Sequence, residues 1–311
     1  MEFLKSFFKK ISFLTIANVY LVILAGGVVR CTGSGMGCPD WPKCFGRWIP
    51  PTEISELPDN YVELYSEGGH LTVEFNVYKT WTEYINRLLG VLVGLFVFAN
   101  LLSSVGYYKS NKSIFYYSLA AFLLTGFQGW LGAKVVATNL KPFMITLHML
   151  VAMVIVGVLL KARAKTDQST GYTNINIKNT ALVVCLLVLL QILVGTQVRQ
   201  AIDVVSQQFF DRSLWIENAG FTLKLHTFLA YLVIASVIYL CYILYKNSIS
   251  SKYIIWGLMI AISVEYIGGI VMYRYSIPSY MQPIHLTCAS LLFGLSFYLY
   301  SVHKSGAQID S

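Results

Sequence analysis

Eight apolar runs, separated by short polar or charged stretches, divide this chain. They fall at 11–29, 88–108, 114–136, 143–160, 180–198, 225–245, 253–273 and 283–301. A helix needs roughly 20 residues to cross the bilayer's apolar core of about 30 Å, so each run predicts one membrane-spanning helix. The third run is interrupted by Gln128 and Lys134, which leaves its outer end open. The first follows MEFLKSFFKK, which has the build of a signal peptide. Its apolar stretch is longer than a usual signal core and no A-x-A site follows, so a retained span is expected. The expected fold class is all-α and integral to a membrane.

Composition supports the same class. Of 311 residues, 56% are hydrophobic and 12% charged, against roughly 25% charged in soluble domains. The mean hydropathy is +0.61. A net charge of +8 does not point to nucleic acid, because the basic residues sit in short loops between apolar runs. Lys5, Lys9, Lys10, Lys109, Lys112, Lys161, Arg163, Lys165, Lys178, Lys246, Lys252 and Lys304 share one side, with only Glu2, Asp167 and Asp310. The other side holds the remaining 11 basic and 12 acidic residues. The positive-inside rule then places both termini in the cytoplasm and residues 30–87 outside as the large outer loop.

The runs also repeat. Run 1 ends Gly26-Gly27-Val28-Val29-Arg30 and run 5 ends Gly195-Thr196-Gln197-Val198-Arg199. Asn86-Arg87-Leu88-Leu89 opens run 2 as His226-Thr227-Phe228-Leu229 opens run 6. The 20-residue interval from Gln128 to His148 recurs from Glu265 to His285, with Gly132 matching Gly269. An even number of crossings returns the chain to its starting side, so the expectation is a parallel duplication of four helices about an axis along the membrane normal. The halves are 1–160 and 180–311, joined by a polar cytoplasmic linker at 161–179.

Five histidines occur. His303 lies in the polar tail and His70 in the outer loop, where solvated roles are the default. His148, His226 and His285 each lie just inside an even-numbered run that starts from the outer side, so all three share one depth. An ionisable group inside a membrane marks a functional site by default; the ordinary alternative is a histidine bonded to a neighbouring helix carbonyl. Two imidazoles facing each other across an apolar four-helix bundle suit the axial ligands of haem iron. Zinc would need a tetrahedral Cys/His cluster, and no such spacing is present.

In the first half, Asn86 stands where the second half has His226. Glu83 lies three residues before Asn86 on the same helix face, and Arg87 can pair with Glu83 at a spacing of four. The outer loop opens R-C-T-G-S-G-M-G-C-P-D-W-P-K-C at 30–44. Its glycines lack the G-K-[ST] and strand–helix context of a phosphate loop. Cys38 and Cys44, on the oxidising side, read as a disulfide or a redox-active pair; Cys185, Cys241 and Cys288 read as packing residues. Arg30, Arg199, Lys134 and Arg274 lie at outer helix ends. Their default role is snorkelling, and with haem present they become candidates for its propionates.

The string RCTGSGMGCPDWPKCFG at 30–46, EYINR at 83–87 and the placement of the three histidines resemble the haem A synthase family. The resemblance runs nearly end to end. It implies an eight-helix oxidoreductase of the cell membrane that oxidises the C8 methyl of haem O to the formyl group of haem A by successive hydroxylations, for cytochrome oxidase assembly. It implies a haem b cofactor held by His226 and His285 near the extracytoplasmic face. The substrate site in the first half would use His148 and Asn86, with Glu83 as the catalytic carboxylate, and the outer cysteine pair maps onto Cys38 and Cys44. Haem O synthase, the oxidase assembly machinery and a quinol or other membrane electron carrier are the implied partners; a homo-oligomer is compatible with the sequence. Two departures stand out. The family commonly has histidine at the position of Asn86, and residues 200–223 hold no second cysteine pair. Asparagine offers only a weak oxygen ligand, so the first-half iron is expected to be high-spin. His70 is the one spare outer histidine. A dihaem quinol-oxidising cytochrome b and a non-catalytic haem carrier are the alternative readings.

Overall fold

In the computed structural model, which describes residues 1–66, 74–167, 172–247 and 252–303, all eight predicted helices are present. They are α1 Glu2–Cys31, α2 Val77–Ser104, α3 Lys112–Ala137, α4 Pro142–Thr166, α5 Ile175–Gln208, α6 Gly220–Lys246, α7 Lys252–Arg274 and α8 Met281–Ser301. Each is long and apolar enough to cross a membrane, and the chain is a multi-pass membrane protein by that measure. The described residues contain no strand. His70, Lys304 and Asp310 lie outside the described residues.

The helices outrun their apolar cores because polar ends can continue the backbone ladder beyond the hydrocarbon. α2 begins at Val77 rather than near 88, where Asn76 accepts the Lys79 N–H as an N-cap. The expected loop 30–87 therefore shortens, and Glu83, Asn86 and Arg87 are helical. Asn111 and Asn174 cap α3 and α5 in the same way, satisfying N–H groups that a helix start leaves unpaired. Pro142 opens α4 at a first-turn position, where its missing N–H costs nothing. The interrupted third run continues as one helix to Ala137, with Lys134 lying over the Trp130 ring near its C-terminal end. The expected linker 161–179 narrows to residues 167–174, since α4 and α5 extend into it.

Within 1–166 each helix packs on its neighbours in chain order, and the same pattern holds within 175–301. The two groups meet where α8 packs against α1 and α4, with a lesser contact between α4 and α5. A single apolar core runs through all eight helices, from Val19 and Val97 through Leu159 and Val184 to Leu240, Leu258 and Leu292. Close approach sets this seam. A Cβ on Gly294 would collide with the Tyr20 hydroxyl, and a Cβ on Gly27 would lie 2.9 Å from Pro283. The outward faces carry Leu95, Leu123, Phe228 and Ile267, all exposed; in hydrocarbon such a surface is no liability.

The turns joining α3 to α4 and α7 to α8 are alike. Asn139 and Leu140 both have positive φ (53° and 58°), as do Ser276 and Ile277 (52° and 58°). Leu140 N–H donates to Val135 O and Ile277 N–H to Met272 O. Left-handed backbone is costly for a β-branched residue such as Ile277, so the turn is imposed by the helices it joins.

Candidate functional site

One cavity of about 2240 Å3 opens between the helices at the end where α1 stops and α2 starts. Ligand pockets are usually about 300–1,000 Å3, so this one has room for more than one large ligand. Asn86, His148, His226 and His285 all line it. So do Glu83, Gln128, Gln191 and Glu265, which come from α2, α3, α5 and α7.

The helices place these side chains by a repeated device. On each odd-numbered helix a glycine faces the polar residue of the following even-numbered helix. A Cβ on Gly26 would lie 4.0 Å from Asn86 Oδ1, and one on Gly132 3.5 Å from His148 Cε1. On Gly195 it would lie 3.3 Å from His226 Cε1, and on Gly268 3.4 Å from His285 Nδ1. Space is thus kept beside each ring. The glycine facing His285 is Gly268; the expected Gly269 has nothing within 4 Å of its Cβ position.

The His226 and His285 rings face one another, with centroids 6.3 Å apart and planes inclined at 59°. Gln191 fixes α6 beside them, its Nε2 donating to His226 O at 3.0 Å and lying 3.3 Å from His226 Nε2. Gln128 Nε2 likewise donates to His148 O at 3.0 Å. Glu265 Oε2 is 3.1 Å from His285 Nδ1. Among the described residues, eleven buried side-chain polar atoms lack a hydrogen-bond partner, and eight belong to residues lining this cavity: Asn86, Gln128, His148, Gln191, Arg199, His226, Glu265 and His285. Buried polar atoms are normally paired, so such a concentration marks a place built to receive something.

Over the first-half side of the cavity sits the outer loop. Cys38 and Cys44 form a disulfide and are both fully buried. Glu83 is 3% exposed. Its Oε2 accepts the Cys38 N–H at 2.8 Å, and its Oε1 accepts Arg87 Nε at 3.1 Å. Arg87 also donates to the carbonyls of Asp40 (2.8 Å) and Lys43 (2.9 Å). Thr80 donates to Gly37 O, and a Cβ on Gly37 would collide with the Lys79 carbonyl. The first turns of α2 therefore hold the disulfide loop down, while Trp41, Pro42 and Trp48 reach the cavity. Farther out, Glu56 accepts from Thr52 and Arg47. Those bonds, from the Thr52 backbone and hydroxyl first, pull its carboxyl down from 4.5 to about 2.

Of the four outer cations, Arg30, Arg199 and Arg274 line the cavity and Lys134 does not. Arg30 and Arg199 converge on Asp203, with Arg199 Nη2 3.0 Å from it, and Arg199 Nη1 donates to Gln282 Oε1 at 2.6 Å. Asp203, Gln191 and the positioning roles of Gln128 and Glu265 are not among the residues expected from the sequence. Their signal was available: a polar residue inside an apolar run, or four residues beyond an arginine.

The family model described as cytochrome oxidase assembly protein matches residues 9–297. A relative called heme A synthase from Ehrlichia canis is 25% identical over 313 residues, covering 91% of this chain and 89% of that protein. Another of that name from Flavobacterium psychrophilum is 22% identical over 324 residues, covering 92% and 94%. A third from Shewanella oneidensis is 28% identical over 186 residues, covering 58% and 54%. The match through all eight helices and the cavity they enclose makes this chain a member of the cytochrome oxidase assembly protein family.

Proposed function

We propose that the protein is a haem A synthase: a membrane oxidoreductase that converts the C8 methyl of haem O to the formyl of haem A in two unlike halves of one cavity. The observation that carries this reading is the pairing of His226 with His285 on one side of a cavity whose other side offers Asn86 and His148. The 6.3 Å between the two ring centroids leaves space for an iron ion between the imidazoles. The pair therefore fits haem b iron, and the unpaired polar atoms around it fit a macrocycle's edge.

A duplication of halves 1–160 and 180–311 is supported by three independent correspondences. Glycines face the polar positions in all four helix pairs. The paired left-handed turns lie 137 residues apart. Thr146 and Thr196 meet at 3.1 Å where α4 touches α5, and at the corresponding α1–α8 crossing Gly27 abuts Pro283. The cavity is assigned to the extracytoplasmic face, with both termini cytoplasmic. The buried disulfide above it supports this, since such bonds persist in oxidising compartments; so does the basic bias of the opposite side.

Haem b supplies one-electron transfer when bound between His226 and His285. The chain's own residues do the rest. His148 is the strong ligand available to haem O in the first half, and the Asn86 amide oxygen is a weak one. With water as the oxygen donor, each hydroxylation would replace one C–H by C–O, release two protons and pass two electrons to a membrane electron carrier, and the geminal diol would lose one water to leave the formyl group. Glu83 lies at the margin of this half, where its carboxylate can take up protons or stabilise developing positive charge. Arg87 and the Cys38 N–H fix it in place, and the disulfide loop helps exclude water. Arg30, Arg199 and Arg274 would hold the propionates, the first two being positioned by Asp203.

Expression with haem O synthase, followed by haem extraction, tests the reading. Haem A in the extract supports it. Haem B alone would favour a quinol-oxidising dihaem cytochrome, and unchanged haem O a carrier.

A further inference from the structure

Glu265 is a carboxylate in the middle of an apolar helix, and such groups are retained in membranes for a purpose. Its Oε2 lies 3.1 Å from His285 Nδ1, close enough to pair after a small turn of the ring, while Oε1 and that nitrogen have no hydrogen-bond partner. The position 137 residues earlier, with the same 20-residue spacing to a histidine, is Gln128. Gln128 spends its amide N–H on the backbone oxygen of His148, and both its Oε1 and His148 Nδ1 stay unpaired. The halves thus differ by one carboxylate for one amide, each placed behind a histidine.

We propose that Glu265 is a positioning residue that makes the second-half haem resident. This rests on the assignment of haem b to His226 and His285. With iron on the other ring nitrogen, His285 Nδ1–H would donate to Glu265 across the 3.1 Å separation, fixing the tautomer and the plane of the ring. A charged acceptor makes a bond roughly twice as strong as a neutral one. It also raises electron donation to the iron, which favours the oxidised form and lowers the midpoint potential. Gln128 donates to the backbone of α4 and puts no carboxylate at the His148 ring. That suits a site that must release its product.

The test uses the full-length protein purified with haem bound, comparing the parent with Glu265→Gln and Glu265→Asp. The readouts are the midpoint potential of the low-spin haem and the rate of haem loss to excess apomyoglobin. Glu265→Gln is expected to raise the potential and to speed loss by roughly 10–100-fold, with the low-spin spectrum retained and Glu265→Asp moving both back toward the parent. Parental potential and loss rate in Glu265→Gln overturn the proposal. If that variant yields no folded protein, Gln128→Glu reads the same rule from the other half: slower release of first-half haem is expected, and an unchanged rate overturns it. Low-spin haem surviving in His285→Ala would instead overturn the ligand assignment, whatever Glu265 does.

Discussion

His226 and His285 face each other from α6 and α8 with ring centroids 6.3 Å apart, whereas the matching position to His226 in the first half is Asn86. On the proposed reading, that one difference separates a site with two strong ligands from a site with one. Replacing Asn86 by histidine should therefore convert the first-half haem from high-spin to low-spin and slow turnover, because a second strong ligand competes with the chemistry. Absorption and electron paramagnetic resonance spectra check this. A first-half haem already low-spin in the parent sinks the idea.

The glycines facing the histidines make a size prediction. Gly132→Leu should block haem O binding in the first half while sparing haem b, and Gly195→Leu should do the reverse. Haem content by pyridine haemochrome, resolved by haem type, gives the answer. Equal losses of both haems in each variant would mean that the cavity is not divided as described.

Arg87 joins the buried Glu83 to three carbonyls of the disulfide loop. Removing one member of a buried ion pair typically costs about 3–5 kcal/mol. Arg87→Ala should lower the thermal midpoint in detergent, with Glu83→Gln milder in stability and more severe in haem A formation. The opposite ranking would make Glu83 a structural residue only.

Closing the short loop between Cys38 and Cys44 contributes about 2 kcal/mol by chain entropy. The Cys38→Ser/Cys44→Ser variant should lose stability of that order and part of its activity, since the Cys38 N–H holds Glu83. Thermal melts and product yield measure the two effects. Full activity in the double variant would remove the disulfide from the account of the site.

Glu56 has its pKa depressed to about 2 by Thr52 and Arg47. A depressed carboxyl stabilises the fold above its ordinary value of 4.5 and loses that contribution as pH falls toward about 2. Limited proteolysis of the outer loop should be unchanged from pH 8 to 5 and should rise between about pH 4 and 2. Glu56→Gln should show the raised cleavage already at pH 7; identical cleavage of parent and variant contradicts the role.

The spans were legible because a bilayer demands about 20 apolar residues per crossing, and the histidine depth followed from the direction of each crossing. Helix ends were less so. The first ten residues of α2 mix polar with aromatic and aliphatic side chains, and only the Asn76 cap and the docked disulfide loop reveal them as helix. Gln128 and Glu265 stood out as sequence marks but not as partners, and Gln191 not at all, because their contacts join different helices. Asp203 was hidden for a similar reason: the pairing with Arg199 is local, but Arg30 arrives from 173 residues away. Spacing along one chain segment shows a face; which faces meet is a property of the packed bundle.

The central claim is that His148 and the residues around it hold a haem that is changed, while His226 and His285 hold one that is not. Extraction of haem from the parent and from His148→Ala, each made together with haem O synthase, tests it most directly. The account predicts haem B and haem A from the parent, and haem B without haem A from the variant. Haem A at parental yield from His148→Ala, or unchanged haem O as the parent's only non-B haem, would contradict it.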